Sequence, residues 1–149
     1  VIATEHGPKG GDEINLNFQN YGDIPNYGWD IASYGSPYSG EDFFKKSHKE
    51  HGFVEPFKNF TPSIGISEIV NVTKDKNFFI DTNTIFASSL RAGSIYMLET
   101  DEKIKKILSE DRLFFREQRI RDLEFDEDLK VLFLLFEHTP SVGIVKYLN

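Results

Sequence analysis

Two arginines separated by a single residue are the side chains of this sequence best suited to bind an anion. Arg119 and Arg121 flank Ile120, and residues two apart on a β-strand project from the same face of the sheet. Guanidinium groups bind carboxylates through paired, charge-assisted hydrogen bonds, so two of them on one face suit a ligand with several carboxylates. A solvated pair at a sheet edge has the same spacing, and the spacing alone favours that simpler interpretation.

A glycine-rich segment near the start of the chain offers backbone groups as well as side chains. Residues 5–13 read Glu-His-Gly-Pro-Lys-Gly-Gly-Asp-Glu, and residues 6–12 form a loop by composition. Residues 14–18 then alternate apolar and polar side chains, as a half-buried strand does. Further along, residues 26–29 read Asn-Tyr-Gly-Trp, with aromatic rings beside a tight turn, and Trp29 is expected to be a packing residue.

Two histidines, His48 and His51, have the i, i+3 spacing of a metal-binding pair. They lie in the polar segment 41–52, which is predicted to hold a short helix or an excursion loop. In so polar a segment, exposure of both rings to solvent is the favoured interpretation. His138 precedes Thr-Pro and is predicted to lie in a turn.

The length, charge and composition of the sequence exclude several classes of protein. The length of 149 residues is enough for one domain with a core. The formal net charge of −7 argues against a nucleic-acid binder, which needs a clustered basic surface. No apolar run approaches the roughly 20 residues of a membrane-spanning helix. The absence of cysteine excludes disulfides, thiolate metal sites and thiol catalysis.

The pattern of short apolar runs predicts an all-β fold. Runs bounded by Gly, Asn, Asp and Ser recur every 8–12 residues or so, a spacing typical of such folds; they are 64–66, 77–80, 84–88, 94–98, 113–115, 122–125, 131–136 and 143–148. The segment 102–111 is ambiguous, because its apolar residues also fit the stripe of a short helix. Residues 1–4 read as a strand without an initiator Met or a signal peptide, which favours a piece of a longer protein.

The two motifs at residues 5–16 and 26–29 resemble those of the soluble quinoprotein glucose/sorbosone dehydrogenase family. That family carries Glu-His-Gly-Pro-x-Gly-Gly-Asp-Glu-(Ile/Leu)-Asn followed by Asn-Tyr-Gly-Trp. Segments 61–65, 89–96 and 118–123 follow in family order, the last resembling its Arg-Ile-Arg-Asp segment. The resemblance implies that residues 1–149 are the C-terminal portion of a six-bladed β-propeller domain, about three blades, without the N-terminal blades.

The resemblance also implies a cofactor. Enzymes of this family use pyrroloquinoline quinone (PQQ), a flat tricarboxylate that needs cationic partners. The matching positions assign Arg91, Arg119 and Arg121 to bind it. His6 corresponds to a position that lines the cofactor pocket, so it is assigned to cofactor or substrate contact.

Two calcium sites are implied as well. One Ca²⁺ lies on the quinone, held by the backbone carbonyl oxygens of Gly7 and Pro8, where a hard cation can polarise the reacting carbonyl. A second, structural Ca²⁺ is implied at Glu13 with the backbone oxygen of Tyr27. The segment 18–25 is a few residues longer than the family pattern and bears on this second site, because it shortly precedes Tyr27.

The expected function is that of a fragment of a PQQ- and Ca²⁺-dependent oxidoreductase that oxidises soluble aldose sugars at the anomeric carbon. By family resemblance it is periplasmic or secreted. In the family, the general base is a histidine on an earlier blade, upstream of this chain, so little or no activity is expected of the chain alone. An open arc of blades leaves apolar faces in water, so we expect pairing with the N-terminal half or self-association with a second copy.

Two other interpretations remain beside this one. A non-catalytic propeller fragment would act as a calcium-stabilised binding or scaffold module, but the retention of three arginines favours the enzyme. A small β-sandwich of unrelated function explains neither the order of the motifs nor the start of the chain.

Overall fold

A computed structural model describes residues 1–18, 24–78, 80–115 and 117–148. Within these ranges the chain is all-β, as the sequence predicts, with ten strands. The strands are β1 (Ile2–Glu5), β2 (Asp12–Leu16), β3 (Lys58–Phe60), β4 (Ile66–Val72), β5 (Asn83–Ser89), β6 (Ser94–Thr100), β7 (Ile107–Phe114), β8 (Ile120–Asp126), β9 (Val131–Phe136) and β10 (Ser141–Lys146). The two short 3₁₀-helices are Lys49–His51 and Lys76–Phe78. No helix in the described ranges has the length and apolar character needed to cross a membrane.

The chain divides into two compact units, of which the first is Val1–Ile66. It is built on an antiparallel sheet in the order β1-β2-β3. Thr4 lies opposite Ile14 in this sheet, and Ile14 is fully buried, which anchors β2 in the core of the unit. The glycine-rich loop joins β1 to β2.

The second unit is Ser67–Asn149. It contains one sheet in the order β4-β5-β6-β7 and another in the order β8-β9-β10, all antiparallel. Buried apolar side chains from both sheets and from the connection between β4 and β5 form one core, consisting of Val72, Phe78, Ile80, Phe86, Ile95, Ile120, Leu123, Leu132 and Leu134. Burial of these apolar side chains therefore holds the two sheets of this unit together.

β9 is apolar on both of its faces. The face opposite the core carries Phe133 and Leu135, and the register places Ile144 and Val142 of β10 directly across from them. Leu135 is 45% exposed, Ile144 58% and Val142 66%. This face, which we call the outer face of β9–β10, is an exposed apolar patch of the kind that marks interaction surfaces.

The segment 102–111 does not form the helix that was one of its two expected structures. Asp101 turns the chain instead: its carboxylate accepts hydrogen bonds from the backbone N–H groups of Lys105 and Lys106 at 2.6 and 2.8 Å. The N–H of Asp101 donates to the carbonyl oxygen of Lys106. This side-chain capping closes a loop that returns the chain along β6 as β7.

The expected strand at 77–80 is wrong where the structure describes it, since Phe79 lies outside the described residues. Phe78 ends a 3₁₀-helix, and the carboxylate of Asp75 accepts a hydrogen bond from the Asn77 N–H at 2.8 Å. Asp75 and Ile80 exchange backbone hydrogen bonds. A local aspartate turn therefore outcompetes the extended structure that the apolar residues favour.

Candidate functional site

The glycine-rich loop between β1 and β2 packs backbone against backbone. Lys9 and Ser36 exchange two backbone hydrogen bonds of 3.1 Å each. A β-carbon on Gly7 would collide with the carbonyl oxygen of Gly10, so no larger residue fits there without moving the loop. The loop thus has a fixed shape, which is a requirement for any site made of backbone oxygens.

Asp12 holds this loop to the segment that precedes β4. Its fully buried carboxylate accepts hydrogen bonds from the N–H of Gly7 at 3.0 Å and from the hydroxyl of Ser63 at 2.8 Å. It also accepts hydrogen bonds from the N–H groups of Ile64 and Ile66 at 3.0 and 3.1 Å. Four donors from two segments therefore converge on one buried carboxylate, and these hydrogen bonds offset the free-energy cost of burying it.

The backbone oxygens assigned to calcium remain available in this loop. Within the described ranges, neither the carbonyl oxygen of Gly7 nor that of Pro8 accepts a hydrogen bond. Calcium prefers such oxygen ligands, so the two residues fit the ion that the resemblance implies. The side chain of His6, beside them, is exposed.

The exposure predicted for His48 is wrong, because its side chain is fully buried. Its Nε2 lies 3.4 Å from Oε1 of Glu13, and its Nδ1 lies 3.7 Å from Oε2 of Glu55. Neither nitrogen makes a hydrogen bond in the described ranges. The ring also packs against Tyr34, with 5.2 Å between centroids. Glu13, Tyr34 and Glu55 all lie outside segment 41–52, so the polar character of that segment does not indicate the burial of His48.

Beside His48, hydrogen bonds hold the carboxylate of Glu55 in place. The Tyr34 hydroxyl donates to Glu55 at 2.8 Å, and the Lys49 N–H donates to the same carboxylate at 2.8 Å. Although burial alone would raise it, these hydrogen bonds and His48 lower the pKa of Glu55. Burial, together with the bond to Glu55, raises the pKa of Tyr34 to about 12.

Glu13 is a buried carboxylate short of positive partners. Burial raises the pKa of Glu13 to about 7, against a lowering by the hydrogen bond from Asn15. The amide nitrogen of Asn15 lies 3.4 Å from Glu13 and 3.4 Å from Glu5, while its buried Oδ1 has no hydrogen-bond partner. A carboxylate and an orphaned amide oxygen are ligands that suit Ca²⁺.

A complete ligand set for this second calcium, which takes six to eight oxygens, would include backbone oxygens or water. No group of three or more His, Asp or Glu placed to hold a metal occurs in the described part of the chain. Tyr27 donates its hydroxyl to the carbonyl oxygen of Leu16 at 3.0 Å. Of the longer segment 18–25, residues 19–23 lie outside the described residues, so its effect on Tyr27 stays a prediction.

The stability of the first unit is expected to depend on the ionisation of Glu13. Its native pKa of about 7 lies above its ordinary value of 4.5, so between these pH values the native state binds a proton that the unfolded state does not. Stability should therefore fall as the pH rises from 4.5 to 7 and level off above 7, by at most about 3 kcal/mol. Urea unfolding in calcium-free buffer measures it, followed by the fluorescence of Trp29, the only tryptophan.

Glu13→Gln is the matched control for this pH dependence, because it keeps the shape of the side chain and removes its titration. The variant should not show the fall in stability between pH 4.5 and 7 that the ionisation of Glu13 causes. A wild-type profile that matches the variant between pH 4.5 and 7 would contradict the raised pKa.

The structure brings Arg119 and Arg121 together on one carboxylate. The Nε atoms of Arg119 and Arg121 lie 2.9 and 2.7 Å from the same oxygen, Oε2 of Glu137. The buried Nε of Arg119 makes no aligned hydrogen bond, so its contact with Glu137 is an ion pair only. The pair holds the pKa of Glu137 below its usual range, chiefly through Arg121.

Within the residues that the structure describes, Arg91 does not share the carboxylate that joins Arg119 and Arg121. It is exposed in the turn between β5 and β6, where Gly93 adopts a left-handed φ of 55°. This turn contacts the segment that leads to Arg119, because the carbonyl oxygen of Gly93 accepts a hydrogen bond from the N–H of Phe115 at 2.8 Å. All three arginines belong to the second unit, and His6 and the glycine-rich loop to the first. Their convergence around one cofactor stays a prediction.

Some residues of the site follow from the sequence and others do not. Trp29 packs its ring 5.7 Å from that of Phe44 but remains 58% exposed. His138 lies in the turn predicted for it. Glu137 was missed, because a single glutamate next to a turn carries no signal until the pairing of β8 and β9 is known.

Comparison with known proteins places these features in a family. The Glucose / Sorbosone dehydrogenase family model matches residues 1–142. The Synechocystis protein slr1608, described as uncharacterized, is 33% identical over 128 residues, covering 86% of this chain and 29% of that protein. The aldose sugar dehydrogenase YliI of Escherichia coli is 31% identical over 130 residues, covering 84% of this chain and 32% of that protein.

Solved structures agree in fold. A crystal structure of a glucose dehydrogenase matches with a TM-score of 0.77 at 28% identity, covering 98% of this chain and 40% of that one. The apo-form of the soluble aldose sugar dehydrogenase from Escherichia coli matches with a TM-score of 0.75 at 28% identity, covering 98% and 41%. The partial β-propeller fold is therefore confirmed, and the chain spans about a third of the curated relatives it matches.

Proposed function

Because this chain belongs to the glucose/sorbosone dehydrogenase family, we propose that it supplies part of the cofactor site of an enzyme that oxidises soluble aldose sugars with PQQ and Ca²⁺. The observation that carries the proposal is the pair of guanidinium groups, Arg119 and Arg121, held on one carboxylate. A scaffold has no need of adjacent cations with free donors, whereas a polycarboxylate cofactor does. Two of its relatives, an aldose sugar dehydrogenase and a glucose dehydrogenase, support a sugar as substrate.

Each assigned group has a binding role in this proposal. Arg119, Arg121 and Arg91 bind carboxylates of PQQ, and the carbonyl oxygens of Gly7 and Pro8 hold the Ca²⁺ beside it. PQQ held there would supply a two-electron oxidant for the anomeric carbon of the sugar. The rigid loop fixes the two carbonyl oxygens, so the protein does not reorganise when the ion binds.

The remaining assigned residues bind the structural calcium or contact the cofactor or the sugar. Glu13 and the backbone oxygen of Tyr27 hold the structural Ca²⁺, and His6 contacts the cofactor or the sugar. We assign no general base within this chain, and we propose that the complete site needs the N-terminal blades that the resemblance implies. The chain alone should then show little or no turnover, and we propose a periplasmic or secreted location as in the family it resembles.

A titration of the purified chain with PQQ tests the proposal. The quinone absorbance and the melting temperature are followed with and without excess Ca²⁺. Calcium-dependent binding of PQQ supports the cofactor site. Stabilisation by Ca²⁺ without any PQQ binding would favour the second candidate, a calcium-stabilised scaffold module. That candidate is supported by Glu13 and the unpartnered Oδ1 of Asn15, which suit Ca²⁺ without any cofactor.

The outer face of β9–β10 is proposed to be covered in the functional protein. A strand with apolar residues on both faces is typical of sheets buried on both sides, yet Leu135, Val142 and Ile144 are exposed. We propose that the N-terminal blades implied by the family resemblance cover this face, or a second copy of this chain where those blades do not.

The isolated chain is therefore expected to self-associate. Light scattering should give a mass above the 17.2 kDa of one chain, and Val142→Lys with Ile144→Lys should shift it towards the monomer, because lysine resists burial. The exposed and polar pair Glu127→Lys and Asp128→Lys serves as the control. A monodisperse wild-type monomer would contradict the proposal.

A further inference from the structure

The carboxylate of Glu137 joins the two arginines that the proposed function assigns to PQQ, and that function gives it no role of its own. Glu137 directly follows β9, and its N–H donates to the carbonyl oxygen of Arg119 at 3.0 Å. This bond continues the pairing of β8 with β9 by one residue. The backbone therefore fixes Glu137 directly across from Arg119.

The two arginines approach Glu137 through the same edge. The closest atoms are the Nε of each guanidinium group, at 2.9 Å for Arg119 and 2.7 Å for Arg121. A guanidinium group has one N–H at Nε and four more on its two terminal nitrogens. In the described part of the chain, those terminal nitrogens have no further hydrogen-bond partner. Both forks remain available to a ligand carboxylate.

The backbone at Arg121 forms a β-bulge, which sets the direction of its side chain. Ile120 pairs with Phe136 and Asp122 with Leu135, so Arg121 is an extra residue without a partner on β9. Such bulges re-aim a side chain and recur beside functional sites. Ile120 is fully buried, and Arg121 is exposed. The bulge thus directs Arg121 outward, to the carboxylate that Arg119 also reaches.

We propose that Glu137 is a positioning residue, which holds the Nε edges of Arg119 and Arg121 so that their terminal forks face one ligand bearing several carboxylates. This inference rests on the proposed function, since it deepens the role of the same arginine pair. One carboxylate between two guanidinium groups leaves a net positive charge, so the pair keeps its attraction for an anion. Long side chains held in place lose less rotamer freedom on binding, which strengthens binding.

Charge and positioning predict opposite effects for the loss of Glu137. By charge alone, Glu137→Gln removes a negative group beside the arginines and should strengthen the binding of an anion. If Glu137 positions the forks, the same substitution should weaken binding, because both side chains become mobile. Glu137 is 40% exposed at its side chain, so the substitution does not threaten the fold.

The experiment is a titration of the chain with PQQ at saturating Ca²⁺, followed by the quinone absorbance. For Glu137→Gln we expect binding about 10-fold weaker, the equivalent of one charge-assisted hydrogen bond, with an unchanged melting temperature. Glu137→Asp keeps the carboxylate and should restore part of the affinity. Glu124→Gln removes the same charge from an exposed position of β8 and should not weaken binding.

Nuclear magnetic resonance provides a readout that does not depend on PQQ. The Nε–H order parameters of Arg119 and Arg121 should be high in the wild type, because Glu137 holds both side chains, and should fall in Glu137→Gln. Equal or tighter PQQ binding by Glu137→Gln would overturn the inference alone, whereas a wild-type chain that binds no PQQ would overturn the proposed function as well.

Discussion

Replacing Asp12 with Ala is expected to destabilise the first unit by about 4 kcal/mol, because the change leaves buried donors without an acceptor. The N–H groups of Gly7, Ile64 and Ile66 and the hydroxyl of Ser63 all donate to this carboxylate. Each unsatisfied buried group costs about 1–3 kcal/mol, less where water enters the space. Urea unfolding followed by the fluorescence of Trp29 measures the effect within the unit.

Two variants calibrate this result. Ser63→Ala removes one of the four donors and should cost about 1 kcal/mol, the typical net value of one hydrogen bond. Asp126→Ala removes an aspartate that accepts two backbone hydrogen bonds in an exposed turn of the second unit, and it should leave the Trp29 transition in place. An Asp12→Ala chain as stable as Ser63→Ala would show that Asp12 does not hold the loop to the segment at 63–66.

Local patterns in the sequence are enough to predict much of the fold. β9 is predicted at 131–136 and observed at Val131–Phe136, because a continuous apolar run bounded by turn residues has few alternatives. The glycine-rich loop is also predicted, since glycines with positive φ, such as Gly11 at 74°, mark turns that other residues resist. Where an aspartate caps the local backbone, as at Asp101, the apolar stripe alone misleads.

The candidate site is less predictable because its contacts are long-range. His48 is buried between Glu13 and Glu55, and nothing in the composition of the segment around it indicates those partners. Glu137 reaches Arg119 and Arg121 only because β8 and β9 pair with a bulge. Motif resemblance identifies residues by type and order, whereas burial and shared carboxylates depend on register, which the sequence pattern does not specify.

Arg119→Ala combined with Arg121→Ala is expected to weaken the calcium-dependent binding of PQQ by a factor on the order of 1,000. Each arginine contributes charge-assisted hydrogen bonds to a carboxylate, and each such bond is worth about 1.5–3 kcal/mol, so two of them account for that factor. The melting temperature should change little, because exposed ion pairs such as these contribute about 0–1 kcal/mol to stability. Titration with PQQ, followed by the quinone absorbance in excess Ca²⁺, measures the loss.

Arg112→Ala is the matched control, because it removes an arginine of the second unit that is already engaged. Its guanidinium group lies over the rings of Tyr96 and Phe114, with centroids 5.4 and 5.6 Å away, and donates to the Tyr96 hydroxyl at 3.1 Å. The control should bind PQQ as the wild type does, even where its stability is lower. Arg112→Ala removes one positive charge and the double variant removes two. If the double variant weakened PQQ binding by only twice as much in free energy as Arg112→Ala, binding would reflect net charge alone. A loss confined to the double variant would instead assign the carboxylates of PQQ to Arg119 and Arg121.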